Sequence, residues 1–478
     1  MATPATSALS ARSARVRANL DAFGQGHVFA FWDRLNDAER ASLLAQCEAL
    51  PLETLAGAME HPAGCAADDH ARTLEPARVV PYVPEGAARY RAIGAEMVAS
   101  GKVACFTVAG GQGTRLGWDG PKGTFPATPL TGKPLFQHFA ESILAARTRY
   151  GGMVRWYIMT SPLNHDETTR FFESHAWFGL GASKVRIFMQ GTLPSLTLEG
   201  KIVLAAPGAI ALNPDGHGGA VRALYASGAL DEMRAHGIET LSYFQVDNPL
   251  VAAVDPLFLG LHAAHPESSG EVSSKVVPKR DASEKVGVFC RSGGKTMVVE
   301  YSDLSRQAAE ARRADGALLH SAGSIAIHAF SRAFLERLAA GGGQLPLHRA
   351  LKKVPCVELS TGDIVEPAAP NAIKLEAFIF DAVPLADRAL VYETRRDEEF
   401  APIKNAEGED SPATSRTAQS ERAARWLAAA GVRIPRDSAT GATTATIEIS
   451  PLTALSADDL RRCANLPASI AEGSQLLL

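Results

Sequence analysis

Residues 108–123, Val-Ala-Gly-Gly-Gln-Gly-Thr-Arg-Leu-Gly-Trp-Asp-Gly-Pro-Lys-Gly, constrain the fold more than any other stretch. They end the short apolar run Lys102-Val-Ala-Cys-Phe-Thr-Val-Ala109, which has the pattern of a strand buried on both faces of a parallel sheet. Gly110, Gly111 and Gly113 let the backbone turn sharply and bring N–H groups against an anion with no Cβ in the way. Arg115 and Lys122 supply countercharge at short spacing, and together these features point to a polyphosphate ligand. A dinucleotide fingerprint does not fit: laid on Gly111 and Gly113, its third glycine falls on Leu116, and no helix is expected directly after the loop. A Walker loop fails too, because Gly132-Lys133 is followed by Pro134 rather than Ser or Thr.

Composition narrows the class. A chain of 478 residues, 46% hydrophobic and 21% charged, is ordinary globular material with room for two or three domains. The net charge of −4 and the lack of dense Lys/Arg runs argue against a nucleic-acid partner. Cys47, Cys65, Cys105, Cys290, Cys356 and Cys463 are scattered, with no paired metal-ligand spacing, which fits a reduced, cytoplasmic protein. No run reaches the ~18 apolar residues of a membrane span, so neither a membrane nor a nucleic acid is expected as a partner.

The text changes along the chain. Residues 1–95 have helical patterning, with Val28, Phe29, Phe31, Trp32 and Leu35 as a packing face and Asp37 as the expected N-cap of the following helix. Residues 96–385 alternate short strands (102–109, 154–160, 185–189, 240–246, 273–277, 286–290 and 296–301) with helical patterns, which is α/β text. Residues 386–478, with a helix near 416–430 and a β-rich segment at 443–450, look like a separate small C-terminal domain.

Three further constellations carry chemistry. Asn213-Pro-Asp-Gly-His-Gly-Gly219 puts a second glycine turn and His217 ahead of a helical pattern, a place for a sugar or phosphate, or simply a helix cap with Asp215 in the turn. Leu241-Ser-Tyr-Phe-Gln-Val-Asp247 is an apolar strand ending in an acid, well placed to hold a divalent cation on phosphate oxygens or else to cap the next turn. Lys275, Lys279, Glu300-Tyr301, Lys374-Leu-Glu376 and Lys404-Asn405 stand in strand-like surroundings and suggest, as a set, a phosphate-rich cleft.

Read in order, Gln25-Gly-His-Val-Phe-Ala-Phe-Trp32, Ala109-Gly-Gly-Gln-Gly-Thr-Arg-Leu-Gly117 with Pro121-Lys-Gly123, Gln190-Gly-Thr-Leu-Pro194, Pro214-Asp-Gly216, Val246-Asp-Asn-Pro249, Val299-Glu-Tyr-Ser302, Ile373-Lys-Leu-Glu-Ala-Phe-Ile-Phe-Asp381 and Phe400-Ala-Pro-Ile-Lys-Asn405 form an ordered series along nearly the whole chain. The series resembles the eukaryotic-type UDP-N-acetylglucosamine pyrophosphorylases within the UDP-sugar pyrophosphorylase family. That resemblance implies an α/β fold: a Rossmann-like nucleotidyltransferase domain with an N-terminal helical segment and a small C-terminal β-containing domain. It implies that Ala109, Gly110, Gly111, Lys122 and Lys374 meet UTP phosphates, that Gln190 and Gly216 meet the uridine, and that Asp247 holds the nucleotide with its Mg2+. Glu300, beside Tyr301, is implied to meet sugar hydroxyls and Lys404 the sugar phosphate.

Two departures bear on the sugar. The family's Gly-Asn-Gly-Gly is here Gly216-His217-Gly218-Gly219, and its Asn-Ala-Gly-Asn is Ser321-Ala322-Gly323-Ser324. A Gly-His-Gly step is the form found in related UDP-glucose and broad UDP-sugar pyrophosphorylases, so N-acetylglucosamine 1-phosphate and glucose 1-phosphate both stand as substrates. The expected reaction joins the sugar 1-phosphate to UTP and releases pyrophosphate, with Arg115, Lys122 and Lys374 as the catalytic cations. The alternative is a non-catalytic nucleotide-sugar-binding regulator on the same fold, but Arg115, Lys122, Asp247 and Lys374 are all retained, and mere binding does not need them.

Overall fold

The computed structural model describes residues 4–60 and 74–478, and Cys65 lies outside them. The chain divides into two compact units. One gathers the described part of Met1–Asp68 with Gly191–Gly219 and Gln344–Ile379; the other holds the described part of Asp69–Gln190 with Ala220–Gly343 and Phe380–Leu478.

The second unit is built on a large sheet. Its strands lie in the spatial order Val79–Val80, Leu390–Glu393, Val272–Pro278, Ala322–Ser331, Thr240–Gln245, Val103–Val108, Arg155–Thr160 and Val185–Met189. Neighbours are parallel except where Ala322–Ser331 runs antiparallel to both of its partners. The expected strand at 102–109 is Val103–Val108, buried at every position but the last, as a strand covered on both faces must be. Trp156, Phe136, Phe139, Phe172 and Phe244 fill the core beside it, and each such side chain contributes about 1.5–3 kcal/mol by leaving water. The indole N–H of Trp156 is satisfied by Thr107 Oγ1 at 2.8 Å. At Ala322–Ser331 the register shifts between Lys275 and Val276 of its partner, and Ala326 takes a positive φ of 55° there, a bulge.

Strand order decides where a ligand can bind. From Val103–Val108 the chain runs outward through Arg155–Thr160 to Val185–Met189, then returns to place Thr240–Gln245 on the other side of Val103–Val108. Between those two strands the winding reverses, and open α/β sheets bind ligands at the carboxyl ends flanking such a point.

Toward the C-terminus of this unit, helix Pro412–Ala429 is capped by Ser411 with Pro at its first turn. Its Ala423, Ala424 and Leu427 pack with Val432, Ile447 and Leu460, and the parallel pair Thr446–Glu448 and Gln475–Leu477 lies in the same region.

The first unit joins the early helices, Pro4–Ala22, Asp37–Glu48 and Leu52–Glu60, to short antiparallel pairs. Val28, Phe29, Phe31 and Leu35 are buried with Leu43, Leu193, Ile202 and Leu375, so the aromatic face packs as expected. The cap of the second helix sits one residue earlier than the sequence suggested. Asn36, not Asp37, accepts the Glu39 N–H, and Glu39 reaches back to complete a capping box. Gln25 holds Gly200 and Ile202 through both ends of its amide, and His27 also bonds the Ile202 carbonyl oxygen, so the front motif has a structural task.

Candidate active site

The glycine loop leaves the Val103–Val108 strand at the reversal point and is pinned by its carbonyls. Asn164 Nδ2 donates to Ala109 O at 2.9 Å and Gly111 O at 3.2 Å, while its Oδ1 accepts the Ser161 N–H at 2.9 Å. Lys122 N donates to Gly111 O at 3.0 Å and Gly113 N to Gly120 O at 2.9 Å, tying the two ends of the loop together. With the carbonyls turned inward, the N–H groups of Gly110 and Gly111 meet no acceptor among the described residues. Backbone donors presented this way form an anion cradle. No helix opens directly from the loop; the turns Thr114–Leu116 and Lys122–Thr124 intervene before Leu135–Tyr150.

Around this loop the structure gathers several of the residues named from sequence. A Cβ on Gly110 would stand 2.7 Å from Gln190 Oε1, so Gln190 borders the loop and is itself buried. Asp247 follows the neighbouring Thr240–Gln245 strand and lies 3.5 Å from Lys122 Nζ. Ile403 N donates to Asp247 O at 2.8 Å, which brings the Lys404 segment to the same edge. Lys404 itself is partly exposed, 3.8 Å from Asp410. Arg115 is exposed and makes no ion pair among the described residues. Glu300 borders Gly287, whose carbonyl accepts the Ser324 N–H, so Glu300 and the Ser321–Ser324 segment are neighbours. Ser321 O accepts the Lys279 N–H at 2.8 Å, and Tyr301 is exposed.

Gly216, His217 and Lys374 belong to the other compact unit. Gly216 takes a φ of 82°, and a Cβ there would meet Ala377 O at 2.5 Å; one on Gly219 would strike the Asp215 carboxylate at 2.1 Å. Asp215 is thus buried between glycines rather than displayed in an exposed turn. His217 stacks on Phe378 with ring centroids 5.3 Å apart, and His348 stacks on the same phenyl ring at 4.3 Å. His217 Nδ1 accepts the Ile379 N–H at 3.1 Å, which leaves the ring proton on Nε2 as a donor. Burial, and then the nearby His348, lower its pKa to about 4, so it is neutral at pH 7. Lys374 lies on strand Ala372–Ala377 between the buried Ile373 and Leu375, and it makes no ion pair among the described residues.

Two findings depart from the sequence reading. Lys275 is not an open cation: it is fully buried, with Asp255 and Glu399 each 2.6 Å from its ammonium. Burial works against that charge, but the two carboxylates outweigh it and raise the pKa above its ordinary value. Asn164 was not singled out at all. An Asn just before a helix suggests a cap, yet this one makes no cap bond and turns onto the loop instead.

No group of three or more His, Cys, Asp or Glu is gathered among the described residues as an all-protein metal cage. Asp247 belongs to no such group among the described residues, which suits a cation held in part by the ligand's own phosphates. No helix of the described residues is long and apolar enough to cross a membrane.

The chain is similar to several known proteins. The sequence profile described as UTP--glucose-1-phosphate uridylyltransferase matches residues 65–415. UDP-N-acetylhexosamine pyrophosphorylase-like protein 1 of Xenopus tropicalis is 39% identical, covering 89% of this chain and 86% of its own. UDP-N-acetylglucosamine diphosphorylase 2 of Arabidopsis thaliana is 36% identical over 92% of this chain and 89% of its own. Among solved structures, the uridine diphosphate N-acetylglucosamine pyrophosphorylase of Trypanosoma brucei, in complex with an inhibitor, superposes with a TM-score of 0.79 at 27% identity, covering 98% of both chains.

Proposed function

Since the chain belongs to the UTP--glucose-1-phosphate uridylyltransferase family and is a uridylyltransferase making a UDP-sugar and pyrophosphate from UTP and a sugar 1-phosphate, we propose which residues carry the reaction and which sugars it takes. The observation that carries the assignment is the Lys122–Asp247 pair beside the unpartnered Gly110 and Gly111 N–H groups, at the carboxyl ends of two neighbouring parallel strands.

In this reading the Ala109–Gly111 backbone binds UTP phosphate oxygens, Gln190 and Gly216 bind the uridine, and Lys122, Arg115 and Lys374 balance charge on the α-phosphate and the leaving pyrophosphate. An oxygen of the sugar 1-phosphate bonds to the α-phosphorus as the bond to the β-phosphate oxygen breaks. The nucleophile needs no general base, because the second pKa of a phosphate monoester is about 6. The site correspondingly offers cations and N–H donors for positioning and charge stabilisation rather than a proton-transfer pair. Asp247 would hold Mg2+, which when bound neutralises phosphate charge. Glu300, with Tyr301 alongside, binds sugar hydroxyls, and Lys404 the sugar phosphate. A cytoplasmic location belongs to the same proposal and is in keeping with the five described cysteines being free thiols.

His217 and Ser321 set the sugar. A neutral imidazole donating through Nε2 and a short hydroxyl replace two amides that could each donate and accept, so contacts to a 2-acetamido group are lost on both sides. The enzyme therefore uses both glucose 1-phosphate and N-acetylglucosamine 1-phosphate, with kcat/KM values within roughly 100-fold of each other. Pyrophosphate release from UTP and Mg2+ with a panel of sugar 1-phosphates tests this, and His217→Asn combined with Ser321→Asn should move preference toward the N-acetylated sugar. Turnover of N-acetylglucosamine 1-phosphate alone by the parent enzyme would overturn the sugar assignment.

A further inference from the structure

We propose that a cavity in the sheet-bearing unit, of about 610 Å3 and lined by Arg91, Arg422, Arg462, Tyr150 and Trp426, binds a small organic phosphate ester. None of the residues assigned to the uridylyl transfer lines it. One of its walls is the segment from Leu250 to Leu257, and another comes from helix Pro412–Ala429.

The charges of the lining are unevenly matched. Its acids are already engaged: Asp255 and Glu399 by Lys275, Glu398 by Arg425 at 3.1 Å and Trp426 Nε1 at 2.8 Å, and Glu448 by the Leu130 and Thr131 N–H groups at 2.7 and 2.8 Å. Asp458 pairs with Arg461. Among the lining cations, Lys133, Arg149, Arg395 and Arg425 are paired with Glu141, Asp459, Asp397 and Glu398, whereas three arginines are not. The side chains of Arg91 and Arg462 make no hydrogen bond or ion pair among the described residues. Arg422 donates only to the carbonyl oxygens of Leu250 and Glu398, at 2.8 and 3.1 Å. Burial lowers its pKa to about 10, because the nearby charges of Glu398 and Glu399, neither hydrogen-bonded to it, offset only part of the cost of desolvation.

An anion in the cavity would pair with these three guanidinium groups, none of which bonds a carboxylate, and a phosphate matches the fork geometry of arginine. Two features call for an organic portion as well. The volume far exceeds that of one phosphate and lies in the range of small-molecule sites. The rings of Tyr150 and Trp426 also add apolar surface to the lining.

Calorimetric titration of the full chain with glucose 6-phosphate, 3-phosphoglycerate and AMP tests the proposal, because none of these carries a phosphate on an anomeric carbon. At least one should bind saturably at one site per chain and more tightly than inorganic phosphate. Arg91→Ser with Arg462→Ser, both at exposed positions, should weaken that binding roughly tenfold or more, whereas Lys122→Ala should leave it intact. The proposal is overturned if no ester binds, if inorganic phosphate binds as tightly as every ester, or if binding disappears in Lys122→Ala and survives in the arginine double variant. These outcomes are independent of the sugar assays, so either assignment can fail without the other.

Discussion

The two glycine-rich turns of this chain look alike on paper and differ at one position, Gly111. In the loop after Val103–Val108, a Cβ on Gly111 would find nothing nearer than Lys122 Cε at 3.9 Å, and the N–H groups of Gly110 and Gly111 stand open. In the turn at 216–219, added Cβ atoms would collide with Ala377 O at 2.5 Å from Gly216, with Ala377 C at 2.5 Å from Gly218, and with Asp215 at 2.1 Å from Gly219. In the first turn Gly111 leaves room for the ligand proposed there, while Gly110 and Gly113, where a Cβ would stand 2.7 Å from Gln190 and from Trp118, are packed against protein like the glycines of the second turn. The same residue type thus leaves open space at one position and fits a steric constraint at the others.

The sharpest way to break this contrast is to remove charge from the open loop. Lys122→Ala should lower kcat by about 10²–10³ with the fold intact, as expected for one lost charge-stabilising donor, and Lys374→Ala should behave alike. Steady-state pyrophosphate release alongside a thermal melt measures both, and unchanged turnover in folded protein would take the lysine out of the catalytic set.

Paired glycine substitutions compare the turns directly. Gly219→Ala should destabilise by about 1–3 kcal/mol or more through overpacking against the buried Asp215. Gly111→Ala should leave stability nearly unchanged and raise the KM for UTP, because the new methyl group points into open space where phosphate is proposed to bind. Denaturant midpoints and UTP titrations together decide the matter; similar stability losses in both variants would erase the distinction.

A smaller effect is expected at the metal-binding end of the open site. Asp247→Asn should raise the Mg2+ concentration for half-maximal activity roughly tenfold, since an amide oxygen replaces a carboxylate on a hard cation. Superimposable Mg2+ curves would exclude Asp247 as a ligand.

The least change is expected from pH at the packed turn. Because the folded pKa of His217 is lowered to about 4, the unfolded chain takes up the proton first as pH falls. The stability this histidine contributes is complete above its ordinary value of about 6.5 and drains away toward pH 4, while the folded enzyme keeps the ring neutral. The ratio of kcat/KM for the two sugars should therefore be flat from pH 8 to about 5.5. A titration of that ratio near pH 6.5 would mean that the ring is open to solvent.

Legibility from sequence followed the range of the interactions. The strand expected at 102–109 lies at Val103–Val108, because a doubly covered strand announces itself by a short apolar run, and the one at 185–189 lies there to the residue. The helix cap slipped by one residue because Asn36 and Asp37 are both good caps and only the Glu39 partner chooses between them. Lys275 was misread, since its partners Asp255 and Glu399 are 20 and 124 residues away. Asn164 escaped notice for the same reason, lying 55 residues from the Ala109 carbonyl it holds.

By itself, then, the sequence determined the strand–loop–cation pattern, the α/β class and the family to which the ordered motifs belong. These rest on local periodicity and on residue types whose backbone chemistry is fixed wherever they occur. Only the tertiary structure decided which glycines face open space and which face protein, which lysine is buried in an ion pair, and which asparagine orients the loop. Each of those outcomes depends on an atom contributed from far along the chain, and no local pattern encodes a distance between residues that only folding brings together.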